Sequence, residues 1–168
     1  SENAIVVSNS GISGEKDTGV INLEQGSNLV INNYLTNNTV NFDGATLNLG
    51  SYVQADGTTT YGTLDLVGLS TTDKGGYLNA LNNNVSQLKL GDVNLVGDLD
   101  MAVDVDLANE TMDNVTATSY TGTGNINVLG MNLVSDAKTD NTSILFADTN
   151  LKDNVDLFRL IRPYNSKL

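Results

Sequence analysis

The chain has 168 residues, and its 20 Asp and Glu residues against 8 Lys and Arg give it a formal net charge of -12. It contains no Cys, His or Trp, which excludes a thiolate nucleophile, the usual zinc sites, a haem iron held by His or Cys, and a Ser-His-Asp triad. The acidic balance argues against nucleic acid as a partner, and the absence of a run of 18 apolar residues argues against a membrane-spanning helix.

The composition favours strands and turns over helices. The chain contains 24 Asn and 18 Thr but only four Glu, and Asn and Thr are weaker helix formers than Leu or Glu. Most Leu, Val and Ile residues are separated by single polar residues, which is the two-residue period of a strand with one buried face. We therefore predict an all-β protein.

Short units of similar sequence recur along the chain. Each begins with Gly and one or two polar or small residues, continues with an apolar residue, an Asn or Asp and a second apolar residue, and often ends with Gly. The pattern predicts strands of four or five residues whose apolar pair faces inward, with the glycines at the corners. The units are residues 19–23, 44–50, 62–68, 91–97, 97–101 and 124–130.

One such unit cannot bury its apolar face alone, whereas stacked copies can, so the recurrence indicates a solenoid. We predict a right-handed parallel β-helix (β-solenoid) of about eight coils with roughly 20 residues each. Residues 1–168 are expected to form a single domain. The segment that follows Ser1 has no basic and apolar leader, so we expect a fragment of a longer surface protein or a chain whose signal was removed.

Clusters of Asn lie beside several of the apolar pairs, at residues 32–33, 37–38 and 82–84. Asn adopts the left-handed conformation readily, and stacked Asn amides can bond to one another from coil to coil. We expect these clusters to turn the corners between strands, with simple polar loops as the alternative.

Two segments interrupt the repeat. Residues 52–61 contain Asp56 and Gly57 between β-prone flanks, which is a strong hairpin signal. We expect this segment to protrude from the solenoid as a hairpin or long loop. Residues 70–76 have little apolar content and are predicted to form a second loop.

Residues 97–107 alternate between apolar and acidic positions, which predicts that Asp98, Asp100, Asp104 and Asp106 share the outer face of one strand. Several carboxylate oxygens are the ligands that Ca²⁺ prefers, so a calcium site is one interpretation. Carboxylates two positions apart on a strand are separated by roughly 6.6 Å, however, which is wide for a shared ion. We favour a solvated acidic face that discourages aggregation between strand edges.

Many β-helix proteins cleave polysaccharides, and hydrolysis needs two carboxylates about 5–9 Å apart. In so acidic a chain such pairs of carboxylates arise by chance and are no evidence for catalysis. Trp is absent and the six Tyr are scattered, which argues against an aromatic platform for a sugar. Residues 1–151 contain no Arg, a residue that lyases often use. We therefore assign no catalytic, cofactor-binding or metal-binding residues, and we expect a protein that is not an enzyme and has no cofactor.

The C-terminal tail departs from the repeat, with Arg159, Arg162 and Pro163 close together. The open end of a solenoid exposes backbone groups and apolar side chains and therefore needs a cap. We predict that residues 157–163 form a C-terminal cap or begin the next module of a longer chain.

Residues 121–133 (TGTGNINVLGMNL) resemble the coils of bacterial autotransporter passenger domains and related adhesin-like surface repeat proteins, and residues 19–49, 62–68 and 91–101 are similar. The resemblance implies an extracellular β-helix at the bacterial cell surface, or secreted, that acts as an adhesin or passenger stalk. It also implies host-surface or cell-surface glycans or proteins as partners, and no shared catalytic residues. The alternatives are a carbohydrate-active β-helix enzyme (polysaccharide lyase or glycosidase) and a phage tail-spike-like fragment, which should trimerise.

Overall fold

The structure is a computed structural model that describes residues 4–15, 18–135, 146–147 and 155–156. These residues form strands and turns without a helix, as the alternating pattern predicts. The described residues wind in about five coils, and equivalent strands of successive coils pair in parallel. The prediction of an all-β parallel solenoid is therefore confirmed, while the right-handed sense of the winding stays a prediction.

The parallel pairs build three lateral sheets, here called sheets A, B and C. Sheet A contains, in spatial order, β1 (Ile5–Ser8), β4 (Asn28–Ile31), β7 (Ala45–Leu49), β12 (Gly76–Asn79), β15 (Leu99–Asp106), β19 (Ile126–Ser135) and β20 (Val155–Asp156). Sheet B contains β2 (Ile12–Ser13), β5 (Tyr34–Thr36), β10 (Thr63–Asp65), β13 (Gln87–Lys89) and β17 (Asn114–Thr116). Sheet C contains β3 (Gly19–Leu23), β6 (Asn38–Phe42), β11 (Gly68–Thr71), β14 (Asp92–Leu95) and β18 (Ser119–Gly122).

Three strands lie outside this parallel arrangement. β8 (Ser51–Val53) and β9 (Thr59–Tyr61) form an antiparallel hairpin, as the Asp-Gly signal predicts. β16 (Thr111–Met112) folds back and pairs antiparallel with β15. The segment predicted as a second loop is shorter than expected: Ser70 and Thr71 belong to β11 and Gly76 to β12, because their backbones pair with neighbouring coils.

The coils are less regular than predicted, and most of them are longer than 20 residues. Partners in neighbouring coils are separated by 18 residues between Asn28 and Thr46, and by 31 between Asn48 and Asn79. The hairpin lies within the longer interval, so insertions lengthen single coils without disturbing the strand stack. The prediction of eight coils is therefore wrong, and the C-terminal cap predicted over residues 157–163 lies outside the described residues.

The core is a set of apolar columns that run along the solenoid axis. In sheet A the register places Leu47, Leu78 and Met101 directly above one another, and all three are fully buried. Each buried side chain of this size stabilises the fold by about 1.5–3 kcal/mol relative to an exposed one. The in-and-out alternation predicted for the repeated units is thus the alternation that builds this core.

Asn side chains connect neighbouring coils, as predicted. The amide Nδ2 atoms donate to the Oδ1 atoms of Asn residues one coil away, in the pairs Asn32 to Asn9 (2.8 Å), Asn41 to Asn22 (2.9 Å) and Asn79 to Asn48 (3.2 Å). Asn37 and Asn83 have φ angles of 60° at corners, which is the left-handed conformation expected for these clusters.

Candidate functional site: an acidic groove beside Tyr77

A groove of about 530 Å³ opens where sheet C leads into sheet A, across three neighbouring coils. Its walls come from the start of β7, the turn before β12 and the turn before β15. Ligand sites commonly have volumes of about 300–1,000 Å³, so the groove falls within that range. The lining residues are Gly44, Ala45, Thr46, Asp73, Lys74, Gly75, Gly76, Tyr77, Gly97, Asp98 and Asp100.

Tyr77 lies in the middle of the groove because strand alternation turns it outward. The next residue, Leu78, is fully buried in the core, whereas Tyr77 is half-buried on the outer face of sheet A. In the parallel register its neighbours are Thr46 on β7 and Asp100 on β15. The aromatic ring is therefore placed between a hydroxyl and a carboxylate.

Asp98 and Asp100 are held together by one side chain of the next coil. Asn127 Nδ2 lies 3.0 Å from Asp98 Oδ2 and 3.0 Å from Asp100 Oδ1, and it donates to both. The backbone N–H of Asn125 donates to Asp98 Oδ1 over 2.9 Å. Two adjacent carboxylates are thus fixed at one end of the groove.

The charge of Asp98 also acts on Tyr120, which lies outside the groove lining. Burial, with a smaller contribution from Asp98, raises the pKa of Tyr120 to about 12. Its hydroxyl donates to the carbonyl oxygen of Gly124. Tyr120 therefore stays protonated and serves to hold the turn that carries Asn125.

The opposite end of the groove contains a lysine that is already bonded. Lys74 Nζ donates to Gln25 Oε1 over 2.8 Å, so the cation is held toward an earlier coil. Gly75 forms part of the floor with a φ of +68°, and a Cβ atom there would lie 2.5 Å from the carbonyl oxygen of Asp98. The absence of a side chain is what allows the two coils to approach at this point.

The four acidic residues predicted to share one face do not share one environment. Asp98 and Asp100 lie at the groove, and Asp106 bonds to Asn109 and Ser135, which lowers the pKa of Asp106. Asp104 is fully buried, so the prediction of a solvated face is wrong at this position. The reason is that the loop after β12 folds over Asp104 and covers it.

Asp104 organises that covering loop. Its Oδ2 atom accepts from the backbone N–H groups of Asn82 (2.9 Å) and Asn84 (3.3 Å), and its Oδ1 atom accepts from Asn132 Nδ2 (2.9 Å). Asn82 Nδ2 in turn donates to the carbonyl oxygens of Gly50 and Gly62. One carboxylate therefore connects a loop of one coil with strands of its neighbours.

A second buried carboxylate, Asp113, lies beside Asp104. Its Oδ2 atom accepts from the backbone N–H of Asp104 (2.7 Å), and its Oδ1 atom accepts from the backbone N–H of Ser86 (2.9 Å). Burial raises the pKa of Asp113 to about 7, the two backbone hydrogen bonds oppose that rise, and the charge of Asp104 adds to it. Every buried polar atom of these two side chains has a hydrogen-bond partner, so the role of the pair is to hold the coils together.

Sequence reasoning missed Tyr77, Asn82 and Asp113. Tyr77 stood out only as one of six scattered tyrosines, and Asn82 only as part of a corner cluster. Asp113 follows the antiparallel strand β16, for which the sequence contains no clear signal.

The described part of the chain has no group of three or more acidic side chains arranged to hold a metal ion. It also has no helix that could cross a membrane. Comparisons of the chain with protein-family models, with curated proteins and with solved structures give no match.

Proposed function

We propose that this protein is a bacterial cell-surface or secreted β-helix that acts as an adhesin or passenger stalk outside the cell. Its partners are surface glycans or proteins. The observation that carries the proposal is the hairpin β8–β9, which projects from an otherwise continuous solenoid. Binding residues are often presented on loops that a rigid scaffold positions, and this hairpin has that arrangement.

The hairpin is exposed but locally ordered. Residues 51–59 are all exposed, with Tyr52 and Val53 exposed by 42% and 63% respectively. At the tip, Thr58 donates from both its N–H (2.9 Å) and its hydroxyl (2.7 Å) to Asp56 Oδ1. These bonds lower the pKa of the Asp56 carboxyl, which favours its charged form. An ordered tip loses little conformational freedom when it binds, which favours affinity.

The base of the hairpin is attached firmly to the solenoid. Gly62 N–H donates to the carbonyl oxygen of Gly50 over 2.8 Å, so the two ends of the insertion are adjacent. Thr60 Oγ1 donates to the carbonyl oxygen of Asn32 over 2.7 Å, in the preceding coil. The insertion can therefore be removed by joining Gly50 to Gly62 through a short glycine linker.

The test compares the whole chain with this hairpin-deleted variant, each coated on beads and offered to cultured epithelial cells. We expect the whole chain to attach beads to cells and the deletion to reduce attachment by roughly tenfold, since a few residues usually dominate an interface. Asp65→Asn, an exposed change in sheet B, serves as the matched control and should attach like the original chain. Equal attachment by the deleted variant, with an unchanged circular dichroism spectrum, would contradict the proposal.

One observation favours a second candidate, the carbohydrate-active β-helix enzyme. The groove combines Tyr77 with the neighbouring carboxylates of Asp98 and Asp100, the residue types that a glycosidase uses. Incubation of the chain with plant and bacterial polysaccharides, followed by measurement of new reducing ends, tests this candidate. If the original chain releases reducing ends and Asp100→Asn releases none, the enzyme candidate is supported. Equal release of reducing ends by the original chain and the variant would contradict it.

A further inference from the structure

We propose that the groove beside Tyr77 is a binding site for a neutral oligosaccharide. This inference deepens the proposed function, in that it names a glycan class for a surface glycan partner, but it concerns a different surface from the hairpin. The two can therefore fail separately.

The size of the groove suits a short oligosaccharide. Neighbouring coils of a parallel stack are about 4.8 Å apart, so a groove lined by three coils is roughly 10 Å long. The coils meet closely beneath it, because a Cβ atom at Gly75 or Gly97 would lie 2.5 Å from the carbonyl oxygen of Asp98 or 2.6 Å from that of Thr72. A short run of sugar units has these dimensions and would lie along the outer surface.

The chemistry of the walls suits a sugar. A pyranose ring has an apolar face of C–H groups and a rim of hydroxyls, and a tyrosine ring offers a matching apolar face with a polar edge. Each ionised carboxylate has about four acceptor positions. Asn127 and Asn125 occupy two on Asp98, and Asn127 occupies one on Asp100. Both carboxylates therefore retain capacity to accept hydrogen bonds from hydroxyl groups.

The charge of the walls selects among sugars. Asp73, Asp98 and Asp100 outnumber the single cation Lys74, whose Nζ already donates to Gln25. A negatively charged groove in a chain of net charge -12 repels anionic ligands. Uronic acid chains are thus disfavoured, and uncharged hexose or pentose chains are favoured, because discrimination arises as much from repulsion as from contacts.

The proposal is tested by calorimetry and by NMR titration of the whole chain with cellohexaose, xylohexaose, mannohexaose and, as the anionic comparison, hexagalacturonate. We expect at least one neutral hexasaccharide to bind and hexagalacturonate not to bind. Tyr77→Ala should weaken binding by roughly tenfold, whereas Tyr77→Phe should stay within about threefold because the ring is kept. Asp100→Asn should reduce the difference in affinity between neutral and anionic oligosaccharides, because it removes one negative charge from the groove.

Two controls make the outcomes distinct. The hairpin-deleted variant should bind the sugar as the original chain does, so a loss of cell attachment in this variant does not contradict the sugar site. Tyr77→Ala should lose sugar binding but keep the hairpin-dependent attachment to cells, so the two proposals are tested independently. Circular dichroism and thermal unfolding verify that each variant is folded. Absence of binding for every neutral chain, equal binding by a folded Tyr77→Ala, or preferred binding of hexagalacturonate would overturn the proposal.

Discussion

Asp104 and Asp113 show how one residue type acquires different behaviour from its surroundings. Both carboxylates are buried, and each accepts backbone N–H groups that would otherwise be left without partners. The half-buried Asp106, two positions after Asp104, has its pKa lowered by hydrogen bonds from Asn109 and Ser135. Desolvation opposes the charged form at both Asp113 and Asp106, but it outweighs the hydrogen bonds only at Asp113, whose side chain is buried.

The raised pKa of Asp113 makes stability depend on pH. Because the pKa is about 7 in the folded chain and near its ordinary value when unfolded, the folded state binds more protons between about pH 4 and pH 7. The contribution of Asp113 to stability is therefore present at low pH and is lost as pH rises through about 7. The amplitude is at most about 4 kcal/mol.

The measurement is urea unfolding of the original chain and of Asp113→Asn across this pH range. The substitution removes the titrating group, so the stability advantage of the original chain over the variant should shrink as pH rises. Thr59→Ala, an exposed change that alters no titratable group, should follow the pH dependence of the original chain. Parallel curves for the original chain and Asp113→Asn would show that Asp113 does not titrate as described.

At the scale of elements, the corners decide how closely the coils approach. Gly75 and Gly57 both have positive φ angles, of +68° and +88°. A Cβ at Gly75 would lie 2.5 Å from the carbonyl oxygen of Asp98, whereas a Cβ at Gly57 meets nothing within 4 Å. The two positions therefore share the conformational cost of a side chain but differ in the space available.

This difference predicts unequal effects of the same substitution. Gly57→Ala should cost about 1 kcal/mol of unfolding free energy, from the left-handed conformation alone. Gly75→Ala should cost about 2–4 kcal/mol, because the overpacking between two coils is added. Urea unfolding of both variants checks this prediction, and equal losses would mean that the coils separate easily at this corner.

At the scale of the whole molecule, the solenoid is a stack in which each coil contacts only its neighbours. Among the described residues, β1, β2 and β3 pair with the following coil alone, whereas β7 and β12 pair on both sides. Val6 faces the interior above Leu29 but is 56% exposed, while Leu47 and Leu78 are fully buried. Stability in such a stack is approximately a sum of coil and interface contributions.

Hydrogen exchange should therefore be graded along the axis. We expect the amides of β1 to β3 to exchange at least about tenfold faster than those of β7 and β12, because the first coil can open without breaking the stack. Hydrogen–deuterium exchange followed by mass spectrometry of peptides measures this gradient. Uniform protection over all coils would contradict it and would indicate a single cooperative unit.

The sequence by itself determined the all-β class, the strand units, the corners at Asn37 and Asn83, and the hairpin around Asp56 and Gly57. These features depend on neighbours within a few residues, since alternation and turn chemistry are local properties. The predicted coil length of about 20 residues was wrong, because insertions such as the hairpin occur at no regular interval along the sequence.

Only the tertiary structure decided which residues meet across coils. Tyr77 joins Asp98 and Asp100 in one groove, and Asp104 lies buried beside Asp113, because parallel pairing brings together residues 18 to 31 positions apart and β16 folds back on β15. With coils of unequal length, the register follows from packing of the apolar columns rather than from any repeat in the sequence. The burial of a given Asp follows from that register and from the loop that covers it.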